Sequence, residues 1–133
     1  MLAMEGLEPE GIFFLVDSMG RIAGTATGWV KPETGYLHMV GIRPEYRGQG
    51  LAGALNAIAV KYLMDRGCCR IRLDTDDFRI PAIKTYLALG FIPILQAEEV
   101  RERWLAILRT LGSRRLDAYD GIDGPMISLT DPV

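Results

Sequence analysis

Cysteine is almost missing from this chain: in 133 residues there are two, Cys68 and Cys69, side by side. Neighbouring cysteines are poorly placed to bond to each other, and no second pair is present to build a disulfide framework or a thiolate metal site. They read as reduced, packed thiols. Histidine is scarcer still, with His38 alone, and its place in the sequence gives Cys68 no evident base that would make it a nucleophile. A surplus of either charge is lacking too. The 15 basic and 17 acidic residues leave a net charge of −2, too small a field to draw nucleic acid or an anionic membrane. The densest basic stretch, Arg101, Arg103, Arg109, Arg114 and Arg115, is interleaved with Glu98, Glu99 and Glu102 and reads as a solvated helix face. No apolar run approaches the roughly 20 residues of a membrane-spanning helix, and Met1 to Gly6 lacks the basic and apolar regions of a signal peptide. These absences predict a cytoplasmic protein with no metal and no nucleic-acid or membrane partner.

What is present is a core-forming composition, 49% hydrophobic, enough for one domain. Ile12 to Val16 reads as a strand, Asp17 to Gly20 as a turn, and Arg21 to Val30 as a second strand whose small residues suit close packing. Lys31 to Gly35 turns the chain again, and Tyr36 to Ile42 makes a third strand. Leu51, Leu55, Ile58, Ala59, Tyr62 and Leu63 recur at helical spacing, so a helix runs from about Gly50 to Asp65 and ends at Gly67. Cys68 to Leu73 is a fourth strand, parallel to the third because a helix separates them. A second helix is expected over Ile80 to Leu89, with Pro81 in its first turn, Gly90 at its end and Asp76 or Asp77 as cap. Phe91 to Leu95 reads as a fifth strand and Ala97 to Leu111 as a third helix. The domain is expected to span residues 1–112, followed by a tail over 113–133 that is mostly irregular, or pairs once at a sheet edge.

The stretch Val40 to Gly53 is the one that looks built for chemistry. A strand stops at Pro44, glycines follow at 48, 50 and 53, and a helix begins at once. The first N–H groups of a helix have no partners within it, and the dipole leaves partial positive charge there. Glycines let an anion approach the backbone. From these residues alone the reading stays open between an anion site and a strand-turn-helix junction with incidental glycines.

Arg47-x-x-Gly50-x-Ala52 ahead of a helix, then a strand, then Ala82-Ile83-x-x-Tyr86-x-x-Leu89-Gly90-Phe91, resembles the GNAT superfamily of acetyl-CoA-dependent N-acetyltransferases over about residues 36–95. The resemblance implies an α/β fold of the α+β type: a mixed sheet with antiparallel N-terminal strands, then a parallel β-α-β unit, and helices on both faces. The strand and helices with which the usual fold opens are missing before the first hairpin. It also implies that the pantetheine arm of acetyl-CoA pairs with the strand edge at Val40, Gly41 and Ile42. The diphosphate would lie on the amides of Gly48, Gln49, Gly50, Leu51, Ala52 and Gly53. Arg47 either adds charge there or is a solvated arginine. In this family's chemistry an amine attacks the thioester directly. The Val40 N–H would then face the developing oxyanion, and Tyr86, which periodicity alone makes a core aromatic, would protonate the departing thiolate. Asp74 is the favoured base, ahead of His38, an isolated histidine that reads as a core residue.

Two departures from the family pattern bear on function. Arg79 stands where many members carry an asparagine that contacts the pantetheine or a water, so that contact is lost or replaced. Only about ten residues precede the first hairpin, where helices normally wall the acceptor cleft. The cleft is then open, is closed by a second subunit in a homodimer, or is closed by the C-terminal helix with Trp104. The sequence therefore supports an acetyl-CoA:amine N-acetyltransferase with an unknown acceptor. The alternative is a non-catalytic acyl-CoA-binding or regulatory domain of the same fold.

Overall fold

The structure, a computed structural model, describes residues 11–31 and 34–132, with Met39 and Val40 described by their backbone. The expected lead-in over 1–10 and the turn residues Pro32 and Glu33 lie outside the described residues. Two compact units divide the chain, one ending at Asp74 and the other beginning at Thr75.

In the first unit β1 (Ile12–Val16), β2 (Ile22–Lys31), β3 (Thr34–Ile42) and β4 (Arg70–Arg72) form one sheet in that order. The first three strands pair antiparallel, and β3 and β4 pair parallel across the intervening helix α1 (Leu51–Asp65), as the sequence predicts. Glycines on β2 and β3 set how closely α1 packs. A Cβ at Gly28 would stand 2.9 Å from Tyr62 Cδ2 and 3.1 Å from Leu63 Cγ, and one at Gly35 would stand 3.0 Å from both Leu63 Cδ2 and Cys68 Sγ. The buried stripe of α1 is Leu55, Asn56, Ala59 and Leu63, while Ile58, expected in that stripe, is 52% exposed. The helical period explains the exchange: centring the stripe between Leu55 and Leu63 brings Asn56 in and turns Ile58 out. Gly28→Val should overpack this contact, lowering stability by about 1–3 kcal/mol. Urea unfolding would show it as a lower midpoint at unchanged slope.

The second unit holds α2 (Ile80–Ala88), α3 (Glu98–Leu111), β5 (Arg115–Tyr119) and β6 (Met126–Thr130). Two expectations are corrected here. Phe91 to Leu95 is not a strand; it makes a single parallel bridge, Ile94 with Tyr119, because Pro93 in its middle has no N–H to give to a ladder. The tail is not mostly irregular, since β5 and β6 pair antiparallel from Arg115 with Thr130 to Tyr119 with Met126. Its alternation supplies the reason: Leu116, Ala118, Ile127 and Leu129 share one face and pack with Leu95, Trp104, Leu105 and Leu108. Gly112, at φ 73°, ends α3 in the left-handed conformation that glycine favours.

Candidate functional site

Strand β3 is nine residues long but is held by β4 over three of them, Thr34 to Tyr36 against Arg70 to Arg72. Among the described residues the same edge has no strand partner from Leu37 to Ile42. On the other edge the register with β2 slips. Thr27 faces His38 and Thr25 faces Gly41, so Ala26 stands opposite both Met39 and Val40. A bulge of this kind bends the strand, adds twist and re-aims its backbone groups. The expected oxyanion donor, the Val40 N–H, belongs to the bulge. Gly41 lies exposed beside it, with nothing within 4 Å of where a Cβ would be.

The strand runs straight into the glycine loop. The Arg43 N–H donates to the Ala23 carbonyl at 2.7 Å, and a short 3-10 turn, Pro44–Tyr46, is closed by Arg47 N–H to the Pro44 carbonyl at 3.2 Å. Gly48 and Gly50 then take positive φ, 80° and 73°, a region that side chains with a Cβ enter only under strain. Gly53 is different, because it sits inside α1 with ordinary helical geometry and open space where a Cβ would be. The protein's own packing does not require a glycine there, and in a helix it costs about 1 kcal/mol relative to alanine. What its small size provides is an open approach to the start of the helix.

Among the described residues no turn or cap hydrogen bond is made by the N–H groups of Gly48, Gly50, Leu51, Ala52 and Gly53, and no side chain caps α1. Its first turn also carries no acidic residue, whereas α3 begins with Glu98 and Glu99. The partial positive charge at the start of α1 is therefore not offset by a side-chain cap or a first-turn carboxylate. Arg47 is exposed, and its Nε donates to the Ile42 carbonyl at 3.2 Å, closing the loop on itself.

Two residues that motif spacing did not single out meet beside this loop. Tyr46 Oη donates to Asp17 Oδ2 at 2.5 Å, and the same carboxylate accepts the N–H groups of Met19 and Arg21 and the Nε of Arg21, at 2.9, 2.9 and 3.0 Å. These donors, the tyrosine foremost, hold the Asp17 carboxyl far below the usual carboxylate range, and the Asp17 charge in turn keeps the Tyr46 proton on. Because the folded value lies below the unfolded one, the contribution to stability is complete above about pH 4 and is lost as the pH falls from there. Thermal melts should show a constant gap between the protein and Asp17→Asn from pH 8 to about pH 5, narrowing under more acid conditions.

In the second unit α2 carries Tyr86 and Arg79. Tyr86 is 9% exposed, its ring stands edge-on to Phe91 at 6.1 Å, and burial raises its pKa, with Arg79 pulling weakly the other way. Among the described residues its hydroxyl has no hydrogen-bond partner. Arg79 takes the N-cap position of α2, lies 3.6 Å from Asp76 and stacks near Phe78. Asp76 and Asp77 do not cap the helix. Asp77 accepts Arg103 Nε at 3.1 Å instead, because α2 starts three residues after it with Pro81 relieving one orphan donor. Asp74 is exposed just past β4 in the first unit. His38, expected in the core, is exposed beside Trp29: strand side chains alternate between the two faces, and its neighbour Leu37 takes the buried one. Cys68 is half-buried with its thiol pKa pushed up by burial, while Cys69, expected to be packed, is exposed. Among the described residues no group of three His, Cys, Asp or Glu side chains is placed to hold a metal ion, and no helix is long and apolar enough to cross a membrane.

Comparison with known proteins converges on one family. The Acetyltransferase (GNAT) family model matches residues 2–91. A mycothiol acetyltransferase from Arthrobacter sp. (strain FB24) is 37% identical over 98 residues, 68% of this chain and 30% of that protein. The corresponding protein of Thermobifida fusca (strain YX) is 34% identical over 96 residues, 63% of this chain and 29% of that protein. The chain thus spans about 30% of the length of the relatives it matches. Among solved structures, the NatC complex bound to Gag peptide and CoA is similar with a TM-score of 0.62 and 28% identity, over 66% of this chain and 61% of that one. The aminoglycoside N-acetyltransferase AAC(6')-Iy in complex with CoA shares the fold, at TM-score 0.57 and 22% identity over 68% and 71% of the two chains.

Proposed function

This chain belongs to the GNAT acetyltransferase family, and from that premise we propose that it transfers an acetyl group from acetyl-CoA to an amine of a small molecule. The observation that carries the reading is the continuity of one stretch: a strand edge left open after Tyr36 leads through the bulge into the uncapped amides at the start of α1. An extended amide-bearing arm is matched by the open edge, and a diphosphate by the amides. Acetyl-CoA, when bound there, supplies an activated acetyl group as a thioester.

The roles of the chain's own residues follow from their chemistry. Gly41 and Ile42 offer backbone groups to the arm, and Gly48 to Gly53 hold the anion. An N–H at Val40, set in the bulge, is the donor for negative charge that develops on the carbonyl oxygen. Asp74 takes the amine proton directly or through water, since an ammonium of ordinary pKa about 10.4 does not attack. Tyr86 keeps its proton because burial raises its pKa, so it is available to protonate the departing thiolate. Arg79 lies where an asparagine contact is usual in the family and takes over part of it. A small-molecule acceptor is favoured by relatives named mycothiol acetyltransferases.

The test is calorimetric titration with acetyl-CoA, followed by thiol release over a panel of amines. Failure to bind removes the reading altogether; binding with no thiol release from any amine leaves an acyl-CoA-binding or regulatory domain. The proposal also takes in a cytoplasmic homodimer, for which light scattering should give twice the chain mass.

A further inference from the structure

We propose that Asp17 and Tyr46 are positioning residues that set the glycine loop in its anion-binding shape before the ligand arrives. The inference rests on the acyl-CoA reading above and adds to it residues outside the motif. The loop needs an external anchor: residues 43–45 and 47–50 are exposed, and two of them, Gly48 and Gly50, are glycines at positive φ. Such a segment samples many conformations, and ordering it on binding subtracts from affinity.

Tyr46 supplies the tie. It stands two residues before Gly48, at the end of the 3-10 turn, and its hydroxyl reaches across a sequence separation of 29 to Asp17. The acceptor is stiff independently of Tyr46. Asp17 is fixed in the β1–β2 turn by its N–H to the Arg21 carbonyl at 2.9 Å and by the Gly20 N–H to its own carbonyl at 3.0 Å. Its side chain, 15% exposed, is oriented by the two backbone donors and by Arg21. That arginine also offsets the carboxylate charge, so the anchor does not set a bare negative charge beside an anion site. Tyr46 and Asp17 act through the amides of Gly48 to Gly53. Ring packing would survive removal of the hydroxyl, so Tyr46→Phe isolates the hydrogen bond.

The experiment titrates CoA and pantetheine, which lacks the diphosphate, into the protein, Tyr46→Phe, Asp17→Asn and the double variant, following weak binding by chemical shifts. CoA should weaken about tenfold in each single variant, as expected for loss of a hydrogen bond to a charged group, with pantetheine within about twofold. The double variant should lose no more than the larger single loss, because both remove one interaction. Equal weakening of CoA and pantetheine, unchanged CoA affinity in a folded Tyr46→Phe, or additive losses would each overturn the inference and leave the acyl-CoA reading standing. A protein that binds no CoA before any substitution overturns both. If Tyr46→Phe does not fold, Asp17→Asn decides by the same comparison of the two ligands.

Discussion

Gly50→Asp should abolish CoA binding, lowering affinity at least a hundredfold, while the protein stays folded. Two independent effects of the substitution act on binding. The carboxylate stands at the N-cap of α1, among the amides from Gly48 to Gly53, where it offers those donors an acceptor from within the chain and repels the diphosphate. Folding is affected far less. The residue has φ 73°, so any side chain there costs about 1–2 kcal/mol, but no atom lies within 4 Å of the new Cβ. A negative charge at a helix N-terminus returns about 0.3–1 kcal/mol of that. Gly50→Ala carries the same backbone strain without charge, and it should weaken CoA binding by about tenfold or less, in line with about 1 kcal/mol of loop distortion. Titration of both variants, with thermal melts alongside, separates the electrostatic part from the conformational one. If Gly50→Asp binds CoA as the parent does, the anion is not held at this helix start.

Tyr86→Phe should lower kcat by about a hundredfold, the low end for loss of a general acid, with CoA affinity within about twofold. A contact made only as the thiolate departs appears in kcat and not in ground-state binding. The substitution is clean because the ring packs edge-on to Phe91 and stays, while the hydroxyl has no partner among the described residues to lose. Stability should hold, since the ring keeps its packing against Phe91. Burial holds the phenol protonated beyond its ordinary pKa of about 10. The rate should therefore show no alkaline loss assignable to Tyr86 below that pH. A variant with undiminished kcat would make Tyr86 the core aromatic that its helical period alone describes.

Much of the first unit was legible from local rules. Helical spacing from Leu51 onward, the glycines at 48 and 50, and the turn at Asp17 to Gly20 each reflect preferences that act over a few residues. The four-strand order followed from loop lengths. The misses share a different cause. Ile58 lost its place to Asn56 because a shift of the buried stripe by part of a turn leaves the apolar pattern nearly unchanged. The β5–β6 hairpin was legible only as a single edge pairing in an irregular tail, because its alternation is short and its strands are separated by glycines and a proline that also suit a loop. Phe91 to Leu95 has strand composition, and one proline prevents the ladder.

For the site, the sequence by itself determined which residues stand where: glycines at and before the start of α1, and a tyrosine on the next helix. Those are properties of residue type and spacing, settled within a turn or two of chain. The tertiary structure decided that β3 parts from β4 after Tyr36, that a bulge falls at Met39 and Val40, and that Tyr46 is tied to a carboxylate 29 residues away. Strand register and long-range hydrogen bonds depend on which partner is present opposite each residue, and a linear pattern holds no record of that partner.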